Sequence, residues 1–387
     1  MTPSRFLHVV MLSLAITLTI GLSSITASAE SLRDPVVGAV YTMTNDPGGN
    51  AVLVFNRSEH GTLTFGGSFP TGGLGTGGRE PDFGLGNAGA LTLSEDLSLL
   101  FVVNPGSDDV SVFAVERDGL RLLDRQSSRG RQPISVTVNK HLLYVLNAGG
   151  NVGASDNIAG FVVDPQGRLA PLHDSTRPLS GDVTAPSQIR FTPDGKVLVV
   201  TEKATNVIDT YTVGHDGRTT GPTVTPSDAQ TPFGFDFNNQ NELFVADDFN
   251  DAPGAGALSS YRVLRDGSLQ LVSSAVPANE SGACWVVVSH DGRFAYLANT
   301  VSSTISVYSI DPRSGGVTFG AAFQSLHSPT DLDFSRDGRF LYALNPDQLG
   351  QGSPGINVFR VDSRNGSLIP VAGVSGLPAS VDGLVAR

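Results

Sequence analysis

The sequence contains one cysteine, Cys284, one tryptophan and little charge, since only 16% of its 387 residues are Asp, Glu, Lys or Arg. A single thiol forms no internal disulfide, so the folded chain must be stabilised by core burial. After residue 29 no run approaches the ~18 apolar residues of a transmembrane helix, and we expect no membrane span. Because 40% of the residues are apolar, the composition also argues against an intrinsically disordered chain.

Basic side chains are fewer than acidic ones, since the chain has 25 Lys and Arg and 37 Asp and Glu, which gives a formal net charge of −12. An acidic surface repels a phosphate backbone, which argues against nucleic acid as a partner. The chain is instead rich in glycine (45) and proline (23). This composition is typical of a turn-rich β protein, and we expect a monomer that acts on a small molecule.

The first 29 residues have the pattern of a secretory signal peptide. Arg5 and His8 give a basic start, residues 9–22 are mostly apolar, and Ala27-Ser28-Ala29 is a small-residue cleavage site. We therefore predict that residues 1–29 are removed and that residues 30–387 form a single domain. The mature protein would be periplasmic or secreted, with a formal charge of −13 because Arg5 is lost.

An Asp-Gly turn between two apolar runs recurs along the chain. It occurs at residues 192–196 (TPDGK), 289–293 (SHDGR) and 335–339 (SRDGR). An Asp-Gly pair flanked by apolar runs predicts a β-hairpin, because the turn needs a positive φ. Repetition of the hairpin indicates a repeat architecture.

Seven such units fill the chain after its first 36 residues. The predicted second strand of each unit ends at a polar residue, in order Asn45, Asn104, Asn147, Glu202, Asp247, Asn299 and Asn345. The 300 residues from first to last give a mean period of 50, near the ~40–50 residues of a propeller blade. Alternating Val-, Phe- and Tyr-rich runs exclude helical repeats. We predict an all-β protein, a seven-bladed β-propeller.

The two ends of the repeat region predict how the ring closes. The first unit begins at Val37 with its second strand, whereas residues 381–386 form a spare apolar strand after the seventh unit. Placed in blade one, this strand supplies the missing inner strand and removes a free sheet edge. The long irregular loops, such as residues 149–157 and 247–257, fall at the end of the propeller opposite the Asp-Gly turns. We expect the binding face there.

Two phrases resemble the lactonase family of seven-bladed propellers, which includes 6-phosphogluconolactonases and fungal 3-carboxymuconate cyclases. They are residues 191–211 (FTPDGKVLVVTEKATNVIDTY) and 289–310 (SHDGRFAYLANTVSSTISVYSI). The resemblance covers nearly the whole mature chain and implies this fold and an activity on lactones.

The family pattern has His-Pro-His before one inner strand, Gly-Pro-Arg-His before the next, and Asn-Glu after that blade's second strand. Here Gln132-Pro133-Ile134 replaces the first motif and Ala185-Pro186-Ser187-Gln188 replaces the second. Thr201-Glu202 retains the acid one place short of the family position. The resemblance therefore implies the fold more strongly than the chemistry.

Glu202 is the exception among the strand-end residues, since five of the seven are asparagines that can bond nearby backbone. Glu202 and Asp247 belong to adjacent blades on the predicted binding face. Two carboxylates there could act as general base and electrostatic partner in opening or closing a lactone. The alternative is a solvated Glu202 beside Lys203, with Asp247 in the structural role of the asparagines.

Several other side chains are candidates for substrate binding. Arg190, Asp236 and Asp333 occupy matched positions on the inner strands of blades four, five and seven. These charges would either bind an anionic substrate or, in the case of Arg190 and Asp236, pair and lock two blades together. Arginines in loops between blades could hold a carboxylate, and His327 is the histidine placed for catalysis. The remaining candidates are the loop arginines Arg79, Arg131 and Arg177, together with Lys203, Asn147, Phe233 and Trp285.

The sequence predicts no cofactor. Asp247, Asp248 and Asp251 are oxygen ligands of the kind that Ca²⁺ prefers but lack a recognised calcium-loop spacing, so Ca²⁺ is the alternative. The glycine-rich residues 72–78 lack the Lys-Ser/Thr of a phosphate loop and predict a flap over the channel mouth.

These observations predict an exported lactonase, or a lactone-forming cycloisomerase, that acts on a small carboxylated or lactone compound. Glu202 would be the acid/base, with Asp247 and an arginine orienting the substrate. The alternative is a non-catalytic secreted or surface binding propeller that kept the scaffold and lost the family's histidines.

Overall fold

A computed structural model describes residues 34–77, 86–350 and 352–387. The predicted signal peptide and Arg79 lie outside the described residues. Within them the chain forms 29 β-strands and one short 3₁₀ helix, Gly149–Val152. No helix among these residues has the length and apolar character needed to cross a bilayer.

The strands form seven antiparallel sheets, one per blade. Blade one has β1 (Val36–Met43), β2 (Ala51–Ser58) and β3 (Leu63–Pro70), and blade two has β4 (Leu91–Leu93), β5 (Leu99–Asn104), β6 (Asp109–Glu116) and β7 (Gly119–Ser127). Blade three has β8 (Pro133–Asn139), β9 (Leu142–Asn147), β10 (Asn157–Val163), β11 (Leu169–Pro171) and β12 (Arg177–Pro178). Blade four has β13 (Pro186–Phe191), β14 (Val197–Glu202), β15 (Val207–Val213) and β16 (Thr219–Pro226).

The remaining strands complete the ring. Blade five has β17 (Pro232–Phe237), β18 (Glu242–Asp247), β19 (Ala257–Val263) and β20 (Leu269–Pro277), and blade six has β21 (Ala283–Val288), β22 (Phe294–Asn299), β23 (Thr304–Ile310) and β24 (Val317–Gln324). Blade seven has β25 (Asp331–Phe334), β26 (Phe340–Asn345), β27 (Gly355–Val361) and β28 (Leu368–Ser375), and β29 (Asp382–Ala386) follows it. The predicted seven-bladed all-β fold is confirmed.

The Asp-Gly turns fold as their chemistry predicts. Gly195, Gly292 and Gly338 have φ values of 69°, 70° and 67°, a region that glycine enters without steric cost. In the first of these turns the Asp194 carboxylate accepts hydrogen bonds from the Thr192 hydroxyl (2.8 Å) and the Lys196 N–H (3.1 Å). This local network fixes the turn that joins the inner strand to the second strand.

The core lies between adjacent blades. A buried tyrosine on a second strand reaches the next blade and donates a hydrogen bond to the glycine carbonyl of its outer turn. Tyr144 donates to Gly217 (2.9 Å), and Tyr296 donates to Gly366 (3.0 Å). The ring of Tyr296 also packs edge-on against Phe334 of blade seven, with centroids 5.4 Å apart. These contacts bury apolar surface and satisfy the tyrosine hydroxyl at the same time.

The predicted closure of the ring is confirmed, because β29 pairs with β1 in blade one. Val40 lies opposite Ala386, and Tyr41 lies opposite Val385. On its other side β29 faces blade seven, where the Asp331 and Asp333 carboxylates accept hydrogen bonds from the N–H groups of Leu384 (2.9 Å) and Ala386 (2.7 Å). The last strand is therefore held by both neighbouring blades.

Packing of the closing strand against blade two can be tested at Gly383. This residue has a φ of 68°, and a Cβ added there would lie 2.4 Å from Leu91. We expect Gly383→Ala to lower the unfolding temperature more than Gly376→Ala does, since Gly376 has a φ of 85° but no atom within 4 Å of an added Cβ. Both variants carry the strain of positive φ, and only the first adds overpacking of about 1–3 kcal/mol. Equal thermal shifts in the two variants would contradict this packing.

Candidate functional site

A cavity of about 720 Å³ runs along the inner strands at the centre of the ring. We name the end of the cavity away from the Asp-Gly turns its inner end, and this end is lined by Gln188, Trp285 and Asp331. The rim at the other end is formed by residues of the Asp-Gly turns, such as Asp194 and His290. The volume lies within the range of small-molecule sites. The cavity is therefore the strongest candidate for a ligand site among the described residues.

One residue from each inner strand faces the cavity at the same level, and we name these seven residues the central ring. In the register of each blade, the inner-strand residue lies opposite an equivalent residue of the second strand. Asp333 lies opposite Tyr342, and Val385 lies opposite Tyr41. The members of the central ring are Thr92, Thr137, Arg190, Asp236, Val287, Asp333 and Val385. Three of the seven are ionisable, so the middle of the cavity is strongly polar.

Side chains of the central ring cap the exposed edge of the next inner strand. Asp236 accepts a hydrogen bond from the N–H of Val288 (2.8 Å), and Asp333 accepts one from Ala386 (2.7 Å). One level closer to the inner end, Gln188 does the same for Phe235 (2.7 Å). Inner-strand N–H groups that would lack a sheet partner are thus satisfied by the preceding blade.

Arg190 and Asp236 form an ion pair across blades four and five, with 2.6 Å between the guanidinium Nη1 and the carboxylate Oδ1. The pairing that the sequence offered as an alternative to substrate binding is present. The Arg190 side chain is nevertheless 46% exposed, whereas that of Asp236 is only 8% exposed. Arg190 therefore keeps donor groups facing the cavity while its charge is partly balanced.

Asp333 is the carboxyl group of the central ring without a direct ion pair among the described residues. Its oxygens accept hydrogen bonds from the N–H groups of Phe334 (2.8 Å) and Ala386 (2.7 Å). Burial raises the pKa of Asp333 to about 7, although these two hydrogen bonds and the charge of Arg190 lower it. A carboxyl group with that pKa is present both as acid and as base near neutral pH, as proton transfer requires.

Residues 86–89 lie across the inner end of the cavity. The Trp285 indole N–H donates to the carbonyl of Asn87 (2.7 Å), and the Ala88 N–H donates to that of Ser187 (3.1 Å). These contacts tie the segment to blades six and four at once. The cavity therefore opens towards the Asp-Gly turns, at the opposite end from the expected binding face, because this crossing segment occupies the other end.

Glu202 and Asp247 do not line the cavity. Each lies fully buried at the end of its second strand, opposite the third strand of its own blade. The same position is Asn299 in blade six, where the side-chain amide donates to the hydroxyls of Thr304 (3.0 Å) and Ser306 (2.9 Å). We name this contact between the second-strand end and the third strand the blade latch.

Asp247 has the role of the latch asparagines, since its carboxylate accepts a hydrogen bond from Ser259 (2.5 Å). Glu202 is longer and reaches into the preceding loop, where Ser180 donates to it from its N–H (3.0 Å) and its hydroxyl (2.5 Å). Burial, and then the hydrogen bond to Glu202 and the charge of Glu202, raise the pKa of the latch partner Asp209. The catalytic role of Glu202 stays a prediction, and its surroundings are those of a structural acid pair.

The structure brings three of the predicted binding residues together at the inner end of the cavity. Lys203 lies over the ring of Phe233, 4.5 Å from its centroid, and also bonds the carbonyl of Gly86. The rings of Phe233 and Trp285 are 4.9 Å apart between centroids. Of these three residues, Trp285 lines the cavity.

Four other predicted binding residues lie elsewhere. Arg131 pairs with Asp108 (2.6 Å), and the Arg177 guanidinium donates to the carbonyl of Thr219 (2.9 Å). Asn147 takes the latch position of blade three and donates to Asn157 (3.0 Å). His327 packs against Gly352. None of these four belongs to the described residues that line the cavity.

The predicted metal candidates are only partly brought together. Asp248 and Asp251 join Cys284, with one ligand atom of each within 4.8 Å of the others, whereas the Asp247 carboxylate bonds Ser259 instead. Burial, and then the charge of Asp251, raise the pKa of Asp248 to about 7, and the nearby charge of Lys203 lowers it. A thiol and a nearby ammonium do not fit Ca²⁺, which prefers oxygen ligands.

The repeats placed Asp333 at the same inner-strand position as Arg190 and Asp236, but the sequence did not indicate it as an acid/base. Its surroundings depend on the closing strand, whose Ala386 N–H donates to it (2.7 Å). Lys140 follows β8 at the rim of the cavity. It lacks an Asp-Gly neighbour, and no pattern in the sequence indicated it.

Comparison with known proteins gives one family. A family model described as "Lactonase, 7-bladed beta-propeller" matches residues 49–184, 155–252 and 256–381. The 6-phosphogluconolactonase of Serratia proteamaculans is 22% identical over 286 residues, which are 71% of this chain and 80% of that protein. That of Pectobacterium carotovorum is 23% identical over 288 residues, with the same coverage.

Solved structures share the fold. A putative 6-phosphogluconolactonase from Bacteroides fragilis has a TM-score of 0.70 at 20% identity and covers 92% of this chain and 100% of its own. The periplasmic gluconolactonase of Pseudomonas aeruginosa has a TM-score of 0.69 at 17% identity and covers 90% of this chain and 99% of its own. At these identities the likeness establishes the architecture.

The buried latch carboxyl should make stability depend on pH. Burial raises the pKa of Asp247 to about 8, against about 4 for an aspartate in an unfolded chain. The folded protein therefore retains a proton that the unfolded chain releases, and this contribution to stability, complete below pH 4, is lost as pH rises to about 8. We expect Asp247→Asn to lose less thermal stability than the wild type between pH 5 and pH 9.

Thermal unfolding followed by circular dichroism measures this difference. The matched control is Asp118→Asn, which changes an exposed turn residue and should leave the pH slope as in the wild type. If Asp247→Asn and the wild type have the same slope, Asp247 does not hold a proton in the folded state.

Proposed function

This chain belongs to the family of seven-bladed β-propeller lactonases, and we propose that it hydrolyses a lactone ring inside the central cavity. One observation carries the proposal: Asp333 and Arg190 both face the cavity from the central ring. Burial, which raises the pKa of Asp333 to about 7, fits this carboxyl group for proton transfer. Relatives named as 6-phosphogluconolactonases support hydrolysis over ring formation.

In the proposed mechanism the Asp333 carboxylate accepts a proton from a water molecule that attacks the lactone carbonyl carbon. Arg190 donates a hydrogen bond to the carbonyl oxygen as that oxygen gains negative charge. When the tetrahedral intermediate collapses, the bond from the carbonyl carbon to the ring oxygen breaks. The protonated Asp333 returns its proton to the leaving ring oxygen, which becomes a hydroxyl group.

Asp236 supports this mechanism by positioning Arg190. Its Oδ1 holds one guanidinium nitrogen at 2.6 Å, while its own oxygens are fixed by the N–H groups of Phe237 (2.6 Å) and Val288 (2.8 Å). A side chain fixed by three partners gives Arg190 a defined orientation. A preorganised donor of this kind stabilises developing charge without reorganisation during the reaction.

Glu202 remains the competing assignment for the acid/base. Against it stand its complete burial and its donors Ser180 and Thr205, which occupy its carboxylate. Variants of Asp333 and Glu202 separate the two assignments.

We also propose that the protein is exported. The basic start, apolar stretch and small-residue site of residues 1–29 support this. Mass spectrometry of the protein recovered from the producing cells should give a mature chain that begins at Glu30. A chain that still begins at Met1 would contradict export through this segment.

The catalytic assignment is tested with three variants in a pH-stat assay on a panel of small lactones. We expect Asp333→Asn to lower the hydrolysis rate at least 100-fold, in the range that loss of a general base gives. Arg190→Met should lower it about 100-fold, as loss of an oxyanion donor does, and Glu202→Gln should hydrolyse lactones at near the wild-type rate.

Two results would count against the proposal in different ways. Activity retained by Asp333→Asn and lost by Glu202→Gln would favour the acid predicted from the sequence. A wild-type protein that hydrolyses no lactone above buffer would favour the non-catalytic binding propeller. Asp382→Asn is the folding control, because Asp382 begins β29 and accepts a hydrogen bond from the Gly383 N–H (2.8 Å) but does not line the cavity.

A further inference from the structure

We infer that the substrate is an uncharged, hydroxyl-bearing lactone and that the cavity disfavours a phosphorylated one. The inference rests on the proposed function, because it specifies the ligand of the same cavity. It is carried by the charges and hydrogen-bond donors that line the cavity, counted among the described residues.

Acidic groups outnumber basic groups on the cavity wall. The basic side chains are Arg190 and Lys140, and Arg190 is already paired with Asp236. The acidic side chains that line the cavity are Glu95, Asp194, Asp236, Asp331 and Asp333. Burial raises the pKa of Asp331 and of Asp333, and Asp236 is paired with Arg190, so the unbalanced negative charge near neutral pH lies chiefly on Glu95 and Asp194 at the rim. A phosphate dianion that enters the cavity would therefore be repelled at its rim.

Backbone donors, the other usual means of holding phosphate, are also occupied. Phosphate sites commonly use free N–H groups of a loop or a helix N-terminus. Here the N–H groups of the inner strands donate to side chains of the preceding blade, as those of Val288, Ala386 and Phe235 do. The caps that satisfy the strand edges therefore leave these three N–H groups unavailable to a phosphate.

The same wall suits hydroxyl groups. The carboxylates of Asp236 and Asp333 are acceptors for hydroxyl hydrogens, and the hydroxyl of Thr92 lies in the same central ring. Apolar surface is supplied by Trp285 at the inner end and by Val287 beside it. The cavity thus has hydrogen-bond acceptors in its middle and an aromatic wall at its inner end. These surfaces complement a sugar-like lactone ring, which has hydroxyl groups on its edge and C–H groups on its faces.

The test compares kcat/KM for glucono-δ-lactone and for its 6-phosphorylated form, each corrected for spontaneous hydrolysis. We expect at least a 10-fold preference for the uncharged lactone. The double variant Glu95→Gln/Asp194→Asn removes two rim acids and should raise kcat/KM for the phosphorylated lactone several-fold, with little change for the uncharged one. Higher salt should also raise kcat/KM for the phosphorylated lactone, because repulsion is then screened.

The matched control is Asp266→Asn/Asp311→Asn, which removes two exposed acids that do not line the cavity. This control changes the net charge equally and should leave the preference unchanged. A preference for the phosphorylated lactone, or the same response from both double variants, would overturn the inference.

If neither lactone is hydrolysed, the proposed function is wrong, but the inferred ligand preference can still be tested by binding. Trp285 is the single tryptophan of the chain and lines the cavity, so its fluorescence reports binding there. Titration with gluconate and with 6-phosphogluconate should show weaker binding of the phosphorylated compound. Equal or tighter binding of 6-phosphogluconate, or no binding of either compound, would overturn the inference.

Discussion

The unpaired edge of each inner strand is the constraint on which the rest of this structure depends. An inner strand has a sheet partner on one side only, and its other edge faces the channel, where unsatisfied N–H groups are costly. This chain satisfies them with side chains from the preceding blade, including Gln188, Asp236 and Asp333. The requirement places acceptors, several of them carboxyl groups, around the channel.

The acidic residues of the chain fall into two groups with different surroundings. Latch residues such as Asp247 and Glu202 are fully buried within a blade and bond its own strands or the preceding loop. Asp236 and Asp333 instead face the cavity while they cap a neighbouring strand. Burial raises the pKa of Asp247 and of Asp333 alike, but only Asp333 has its carboxyl group where a ligand can reach it.

The sequence repeat predicted much of the fold but less of the candidate site. The second strands of blades two to seven end at the residues that the repeat predicts, from Asn104 to Asn345, because turn chemistry and alternation are local signals. The open face of the channel was not predictable, since it depends on residues 86–89 crossing to distant blades. Glu202 stood out by its type, yet its latch role depends on Ser180, whose approach is a long-range contact.

The proposed hydrolysis depends on one cavity carboxyl group, Asp333, whose pKa burial raises to about 7. The most direct test is the pH dependence of kcat/KM for hydrolysis of an uncharged lactone by the wild-type protein. We expect kcat/KM to rise with pH to a plateau, with its midpoint near the pKa of about 7 of Asp333. The midpoint should be the same in Asp247→Asn. A profile that is flat across this range, or a midpoint that moves in Asp247→Asn, would contradict it.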